Sequence, residues 1–325
     1  MNQSKKRALI FAAVCIVLGF VISFSTAAVR DFDWVSLGTS ISLNKNAKHI
    51  VSEAFENIRV ESSSGDIHIL PSSDGKCSIV GMEGEELVIQ AEVQSKTLSV
   101  RRVDRRPWYN KIGFFVWSAD DESITVYLPE ESYKDLAIST ASGDIHVSDA
   151  FQFDTAQVSS SSGELSFLAK VGGQLSLRSV SGDIRFTDSE AETLIVSSTS
   201  GDITLDSLTV EKLQAGSVSG EINLRKVTSN TLNVETTSGE VELENTLIAG
   251  DARVKTVSGD VELERFDAAS LSVTTTSGEV EGVLLSAKNF QTRTTSGNVH
   301  VPASDLTGGS CAITTTSGDI EIKIK

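Results

Sequence analysis

Carboxylates recur at one fixed place in this sequence and are the first side chains that could do chemistry. Ten Ser-Gly pairs lie 19 to 21 residues apart between residues 142 and 318, and each is followed by an acid or its amide. These residues are Asp144, Glu164, Asp183, Asp202, Glu221, Glu240, Asp260, Glu279, Asn298 and Asp319. Stacked repeats would align them in one column, and carboxylate oxygens are ligands that suit Ca²⁺. The column therefore predicts either a cation-binding edge or a solvated corner that favours acids.

The acidic column is densest where glutamates of the following strand join it. We expect one face to carry Glu240, Glu242, Glu244, Asp260, Glu262, Glu264, Glu279 and Glu281. The weak metal candidates on this face are Glu240, Glu242, Asp260, Glu262, Glu279 and Glu281. The sequence has no glycine-rich nonapeptide of the calcium β-roll type, so a solvated face is the favoured interpretation. We predict no cofactor, and Ca²⁺ remains the alternative.

A basic and aromatic segment, Arg101 to Trp117, stands apart in this acidic chain. Its candidate contact residues are Arg101, Arg102, Arg105, Arg106, Trp108, Tyr109, Lys111, Phe114, Phe115 and Trp117. Such residues could sit on anionic lipid head groups or on an anionic wall polymer. The alternative is an end cap whose aromatic rings cover the first coil, because solenoids need capping elements.

The remaining candidates for chemistry predict structural roles. His68, His146 and His300 each follow a repeat glycine by three residues, which places them outward on a strand, with His146 and His300 eight coils apart. Cys311 occupies an inward place and reads as a small core residue. The three cysteines, which include Cys15 and Cys77, form no CxxC or disulfide pattern. We predict no catalytic residue.

The elements that position these residues follow from the repeat itself. The second residue after each glycine is aliphatic and the fourth is apolar except at Gly282, with polar residues between them. This alternation predicts a half-buried strand, and a second short strand precedes each corner. The glycine supplies backbone freedom at the corner, and the Ser or Thr three places before it can satisfy nearby backbone groups. The fold class is all-β: a parallel β-solenoid, β-helix-like, of about ten 19–21-residue coils. A stack of antiparallel hairpins is the alternative.

The chain divides into four segments. Residues 1–7 form a basic tail, 8–29 a transmembrane anchor or signal peptide, 30–135 an irregular β cap, and 136–325 the solenoid repeats. The uncharged stretch Ala8–Val29 would rise roughly 33 Å as a helix, enough to cross a bilayer. The basic flank predicts a single-pass protein of the cell membrane with a cytoplasmic N-terminus and an extracytoplasmic bulk. Small residues around Ala27 also permit cleavage of a signal peptide.

The net charge and the position of the last strand limit the classes of partner that we expect. The net charge of −16 and the pI of about 4.7 argue against nucleic acid. The sequence stops on Ile320–Lys325, directly after the last corner, which predicts that this strand is the open edge of the stack. Lysines blunt such edges, so Lys323 and Lys325 would act as gatekeepers. We expect a monomer or weak self-association, with an envelope polymer or envelope protein as partner.

The motifs carry a family resemblance. SSGDIHIL, ITVYLP, LAISTASGDIHV and the repeated TTSGEV and TVSGDV resemble the bacterial putative-adhesin family of β-strand-repeat domains over roughly residues 50–325. Membrane-anchored members of this kind occur among Gram-positive envelope proteins, some of them in envelope-stress operons. The resemblance implies adhesion and carries no catalytic residues.

Three functions are therefore open at this point. The first is a non-enzymatic membrane-anchored extracytoplasmic adhesin, cell-envelope scaffold or stress-response component. The alternative is a carbohydrate-active β-helix enzyme on envelope polysaccharide, and the third is a structural partner in a membrane complex. An enzyme would need carboxylates and basic residues converging in a cleft, whereas here the acids follow the repeat register and the basic residues scatter.

Overall fold

The computed structural model describes residues 45–84, 87–105 and 123–325, and all the regular elements in these ranges are strands. No helix there is long and apolar enough to span a membrane. The predicted anchor, Ala8–Val29, lies outside the described residues.

The strands fall into an irregular first group and a repetitive second group. The first group is β1 Lys45–Val51, β2 Asn57–Ser62, β3 Ile67–Pro71, β4 Cys77–Glu83, β5 Leu87–Gln94, β6 Thr97–Asp104 and β7 Ile124–Leu128. The second group opens with β8 Ser132–Ser142, β9 Ile145–Val147, β10 Gln152–Ser162, β11 Leu165–Phe167, β12 Lys170–Arg178, β13 Ile184–Thr187, β14 Glu190–Ser197, β15 Ile203–Gly216 and β16 Ile222–Glu235. It ends with β17 Val241–Glu244, β18 Leu247–Lys255, β19 Val261–Thr274, β20 Val280–Leu284, β21 Lys288–Arg293, β22 Val299–His300, β23 Gly309–Thr314 and β24 Ile320–Ile324.

The repeats stack as a parallel β-solenoid of about ten turns. Strands β15 and β16 pair in parallel from Ile203↔Ile222 through Leu213↔Leu232, a separation of one repeat. The same parallel pairing joins the other repeats, so the solenoid prediction is confirmed and the repeats are not antiparallel hairpins.

The backbone makes two turns between the strands of a coil. The first turn is the Ser-Gly corner. The second lies six residues after the glycine in five coils, at residues with φ between 50° and 57°: Asp188, Ser207, Lys226, Asn245 and Arg265. These left-handed residues swing the chain from the strand after the corner into the return, so that the inward side chains of both segments meet in one interior.

The apolar columns of the sequence form that interior. Ile203, Leu205 and their equivalents in neighbouring coils are fully buried. Near the start of the solenoid the core is aromatic, because Phe153, Phe167 and Phe186 follow one another with ring centroids 6.4 and 6.0 Å apart. Burying one such side chain contributes about 1.5–3 kcal/mol, and the stack repeats this in every coil.

The coil formed by β2 and β3 lies inside the stack, between two other coils. Strand β2 pairs in parallel with β6 on one side and β8 on the other, and β3 lies likewise between β7 and β9. The outer side of the β6–β7 coil is closed by antiparallel strands, β5 on β6 and β4 on β7. The sequence assigns 30–135 to an irregular cap in which Phe55 to Leu70 resembles one repeat. Residues 57–71 do form a regular coil, because their alternating side chains match those of β8 and β9.

The last coil is tucked in the same way. Strand β23 lies between β19 and β21, and β24 lies between β20 and β22. The corner glycines confirm this order, since a Cβ on Gly318 would meet the Gly278 carbonyl oxygen at 2.1 Å, and one on Gly297 would meet that of Gly318 at 2.2 Å. The expectation that the final strand is the open edge is therefore wrong, and Lys323 and Lys325 are not edge gatekeepers. At this end of the described stack the outermost strands are β21 and β22.

A buried ion pair bridges the inserted coil. The Lys288 side chain, 3% exposed, donates to an Asp267 carboxylate oxygen at 2.5 Å and to the Ala268 carbonyl. Gly309 is the register partner of Lys288, and a Cβ there would lie 2.3 Å from the Ala269 carbonyl oxygen. The Lys288 side chain thus extends past Gly309, which has no side chain. It links the outer coil, which contains β21, to the coil of β19 on the other side of the inserted coil.

Candidate functional site

The Ser-Gly corner is held by the hydroxyl group three residues before the glycine. In six consecutive coils the glycine N–H donates to this oxygen at 2.9 to 3.1 Å: Gly182 to Ser179, Gly201 to Ser198, Gly220 to Ser217, Gly239 to Thr236, Gly259 to Thr256 and Gly278 to Thr275. The Ser and Thr hydroxyl groups therefore do what the sequence predicts, and each satisfies a buried backbone donor in these six turns.

The corner glycines are needed mainly for close approach. Positive φ occurs at Gly65, Gly143 and Gly163, with values of 80°, 111° and 108°, so backbone freedom explains these three. At the later corners the stacked backbones leave no room for a side chain. A Cβ on Gly239, for example, would lie 1.9 Å from the Gly220 carbonyl oxygen. The predicted reason for the glycine thus holds at the first corners and is replaced by packing in the rest.

The aspartates of the acidic column bind the backbone of the next coil. One carboxylate oxygen accepts the amide N–H of the equivalent residue one coil further along, at 2.7 to 3.0 Å. The pairs are Asp66 with Asp144, Asp144 with Glu164, Asp183 with Asp202, Asp202 with Glu221, Asp260 with Glu279, and Asp319 with Asn298. The acceptor is aspartate in each pair, because the shorter side chain reaches the stacked amide. Much of the column is therefore a set of backbone caps.

The glutamates form a separate row on the strand after the corner. Glu242, Glu262 and Glu281 are register partners in successive coils, and the inserted last coil adds Glu321 to the row. Partial burial and the neighbouring carboxylates raise the pKa of Glu262, with Glu242 and Glu281 as the nearest charges. Partial burial, Glu221 and Asp260 raise the pKa of Glu240 in the same way. The ionised carboxylates of the glutamate row and of the neighbouring column therefore repel one another.

Metal ligation has no geometric support in the described ranges. No group of three or more His, Cys, Asp or Glu side chains there is placed to hold a metal ion. Cys77 and Cys311 are buried and free, and burial raises the pKa of the Cys311 thiol to about 12. Cys311 is thus the core residue that its inward place predicts.

Two histidines that the sequence places far apart in the chain are neighbours. Because β3 lies against β9, His68 and His146 are register partners, with ring centroids 6.3 Å apart. Partial burial, followed by the His68 charge, lowers the pKa of His146. His300 lies at the opposite end of the described stack, on β22.

The basic segment is described only in part. Arg101 is exposed and pairs with Glu61 at 2.7 Å. Arg102 is 5% exposed and donates to the Ser64 and Ser123 carbonyls at 3.4 and 3.2 Å, so its guanidinium faces the interior and not an outer ligand. Arg105 is exposed. The candidates from Arg106 to Trp117 lie outside the described residues.

A shallow open groove follows the outer side of the strands that precede the corner. It is lined by the same two outward positions of five successive coils: Thr193 and Ile195, Lys212 and Gln214, Thr231 and Asn233, Asp251 and Arg253, and Ser270 and Ser272. The side chains are mostly amides and hydroxyls, with both signs of charge interspersed. Because the coils are in register, the hydrogen-bonding groups recur at strand spacing, about 4.8 Å.

The sequence of the repeat also decides the family. A family model described as Toastrack DUF4097 matches residues 55–244 and 219–325. The chain belongs to this family. No curated protein matches the chain.

Several solved structures resemble this chain at low sequence identity. A putative adhesin from Parabacteroides merdae is 16% identical with a TM-score of 0.51, covering 75% of this chain and 97% of its own. A putative lipid binding protein from Parabacteroides distasonis is 16% identical with a TM-score of 0.50, covering 86% and 98%. A putative adhesin from Bacteroides fragilis is 15% identical with a TM-score of 0.44, covering 89% and 100%. At these identities the first two support the all-β solenoid alone.

Sequence reasoning missed the groove and the backbone caps of this Toastrack chain. The caps had a signal, since five of the ten corner residues are aspartates, but only stacking shows which amide is near. The groove had a weaker signal, since Gln214 and Asn233 are ordinary outward strand residues until five coils align them.

Proposed function

We propose that this protein is a non-enzymatic, membrane-anchored, extracytoplasmic adhesin or cell-envelope scaffold. The groove defined by Thr193 through Ser272 is the observation that supports this proposal. Its polar groups repeat with the coil, which suits a ligand that is itself a repeating polymer. The names of two structural neighbours, a putative adhesin and a putative lipid binding protein, agree with a surface role.

The groove favours a neutral or weakly charged polymer over a strongly charged one. Lys212 and Arg253 are balanced in the same groove by Asp251 and Glu235. Amide side chains such as Gln214 both donate and accept hydrogen bonds, and hydroxyl-rich chains such as envelope polysaccharides offer both kinds of partner.

Localisation is part of the proposal. The uncharged segment Ala8–Val29 behind a basic flank is expected to anchor the chain once in the cell membrane and to place residues 45–325 outside the cytoplasm. In this position the groove would face the envelope polymer.

The experiment is a sedimentation assay of the purified full chain with cell-wall sacculi. Replacing Gln214 and Asn233 by alanine is expected to weaken binding at least tenfold, about 1.4 kcal/mol. The matched control replaces Thr204 and Asn223, outward residues of the strand after the corner, and should bind like the wild type. Equal losses in both variants would contradict the groove, and release of reducing ends would favour the carbohydrate-active enzyme.

A further inference from the structure

The two ends of the described stack are finished differently. At the β6–β7 end, antiparallel strands β5 and β4 close the outermost coil. At the other end, among the described residues, β21 pairs only with β23 and β22 only with β24. A strand with one unpaired edge is a template for another strand.

Part of this edge is covered by the chain itself. Ser304 Oγ accepts the Phe290 N–H at 2.7 Å and donates to the Phe290 carbonyl, and the Asp305 N–H donates to the Lys288 carbonyl at 2.9 Å. The covered stretch stops at Phe290. The remaining edge comprises residues 291–293 and β22.

Apolar side chains surround the uncovered part. Phe290 and Val301 pack against the core but are only half-buried, whereas their counterparts in the inserted coil, such as Cys311 and Ile322, are buried. Val299 is 40% exposed, and Leu306, in the loop that covers the start of β21, is 83% exposed. Leu306 is the most exposed large apolar side chain of the described residues.

The charge of this end sets it apart from the rest of the molecule. The chain carries a net charge of −16, yet no Asp or Glu occurs between Glu281 and Asp305. Asn298 occupies the column position that is acidic in the other repeats, and His300 is in register with the glutamate row. Two copies approaching by their flanks would bring carboxylates together. Two copies approaching by this end would bring fewer carboxylates together, among them Asp305 beside Leu306.

We propose that the β21–β22 end is a docking surface for a second copy of this chain, which joins the first end to end. The uncovered part of β21 pairs antiparallel with its counterpart, and Val299, Phe290 and Leu306 bury their apolar surface against the partner. A contact of this kind about a two-fold axis is self-complementary and closes at two copies. The proposal is independent of the polymer groove, which lies on coils further down the stack.

The test is the mass of the detergent-purified full chain by light scattering across a dilution series. The wild type is expected to reach the mass of two copies, and Leu306→Asp should raise the concentration for half-dimerisation at least tenfold. Val180→Asp, at a valine that is 50% exposed on a mid-stack corner, is the matched control and should leave it unchanged.

A second pair of variants separates charge from folding. Gln291→Glu places a carboxylate on the uncovered edge, and Gln157→Glu makes the same change at the same repeat position in mid-stack, where the side chain is also exposed. Only Gln291→Glu should weaken the dimer, and added salt should restore it. A wild type that stays monomeric at every concentration, or a dimer that resists both Leu306→Asp and Gln291→Glu, would overturn the proposal.

Discussion

At the scale of single residues, the corner glycines carry the tightest contacts of the stack. A methyl group on Gly239 would enter the Gly220 carbonyl oxygen at 1.9 Å, whereas one on Gly216 would meet the Glu235 carbonyl oxygen at an ordinary 3.6 Å. Gly239→Ala is therefore expected to lower the free energy of unfolding in urea by about 1–3 kcal/mol, the range for overpacking. Gly216→Ala should change it little or raise it by about 0.4–1 kcal/mol. Equal losses in the two variants would contradict the selection of glycine by stacking at Gly239.

The glutamate row gives a second prediction at this scale. Because the folded-state pKa of Glu262 is raised, the folded chain holds that proton more tightly than the unfolded chain, and ionisation destabilises the fold. The destabilisation is present near neutral pH and vanishes as the pH falls below the ordinary value of 4.5. Glu262→Gln is thus expected to raise Tm near neutral pH at low salt and to have no effect in acid.

Glu321→Gln is the matched control for that change. Glu321 belongs to the same row, but Lys323 lies 2.7 Å away and lowers its pKa, so its ionised form stabilises the fold. This variant should lose Tm near neutral pH where Glu262→Gln gains it. If millimolar Ca²⁺ raised the Tm of the wild type and not that of Glu262→Gln, the row would be a cation site instead.

At the scale of the elements, the Lys288–Asp267 pair holds the outer coil across the inserted one. Asp267→Asn would leave the buried Lys288 ammonium without its carboxylate, and the loss should approach the 3–5 kcal/mol typical of a broken buried pair, about the lower value because Asp267 is partly exposed. Lys288→Met keeps the aliphatic length, removes the charge and should destabilise less. Urea unfolding of the two single variants and of the double variant measures these losses of stability. A larger loss in Lys288→Met than in Asp267→Asn would contradict the prediction.

The elements also show where sequence reasoning stops. The apolar alternation after each glycine predicted the strands, their inward faces and the parallel stacking. It could not predict the order of the coils. The corner sequences at Gly278, Gly297 and Gly318 are nearly alike, so each of these coils could stack on either of the other two. The physical signs of the insertion are breaks in the pattern: a lysine at an inward place, Lys288, and the adjacent Gly308 and Gly309.

The order of the coils makes a prediction of its own. Deleting residues 308–325 removes β23 and β24, the partners of β21 and β22 in the described stack. Amide hydrogen exchange should then rise throughout 288–301 and stay slow in 203–255, since a coil depends on its neighbours alone.

The internal position of the last strand makes a second prediction. Changing both Lys323 and Lys325 to Thr should leave the mass in light scattering unchanged, because their strand is internal. Association caused by that double change would restore the gatekeeper interpretation.

At the scale of the whole molecule, the described solenoid places two coils from early and late in the sequence inside the stack. The first regular coil, residues 57–71, and the last, 309–324, each have a neighbour on both sides. A strand that pairs on both sides opens less readily than one at an edge. The layout therefore protects these two coils and leaves the polymer groove in the middle of the stack, and it confines the unpaired edge of the far end of the described stack to β21 and β22.

The last prediction concerns how the whole chain is held. If Ala8–Val29 is an uncleaved anchor, the full chain should stay with membranes after a high-salt wash and keep its original N-terminus in mass spectrometry. Arginines in place of Val14 and Leu18 would each oppose insertion by about 2.5–3.5 kcal/mol at the helix centre, and that variant should appear in the soluble fraction. Protease added outside intact cells should digest the wild-type repeats. A secreted form beginning near Ala28 or Val29 would show instead that the segment is a cleaved signal peptide.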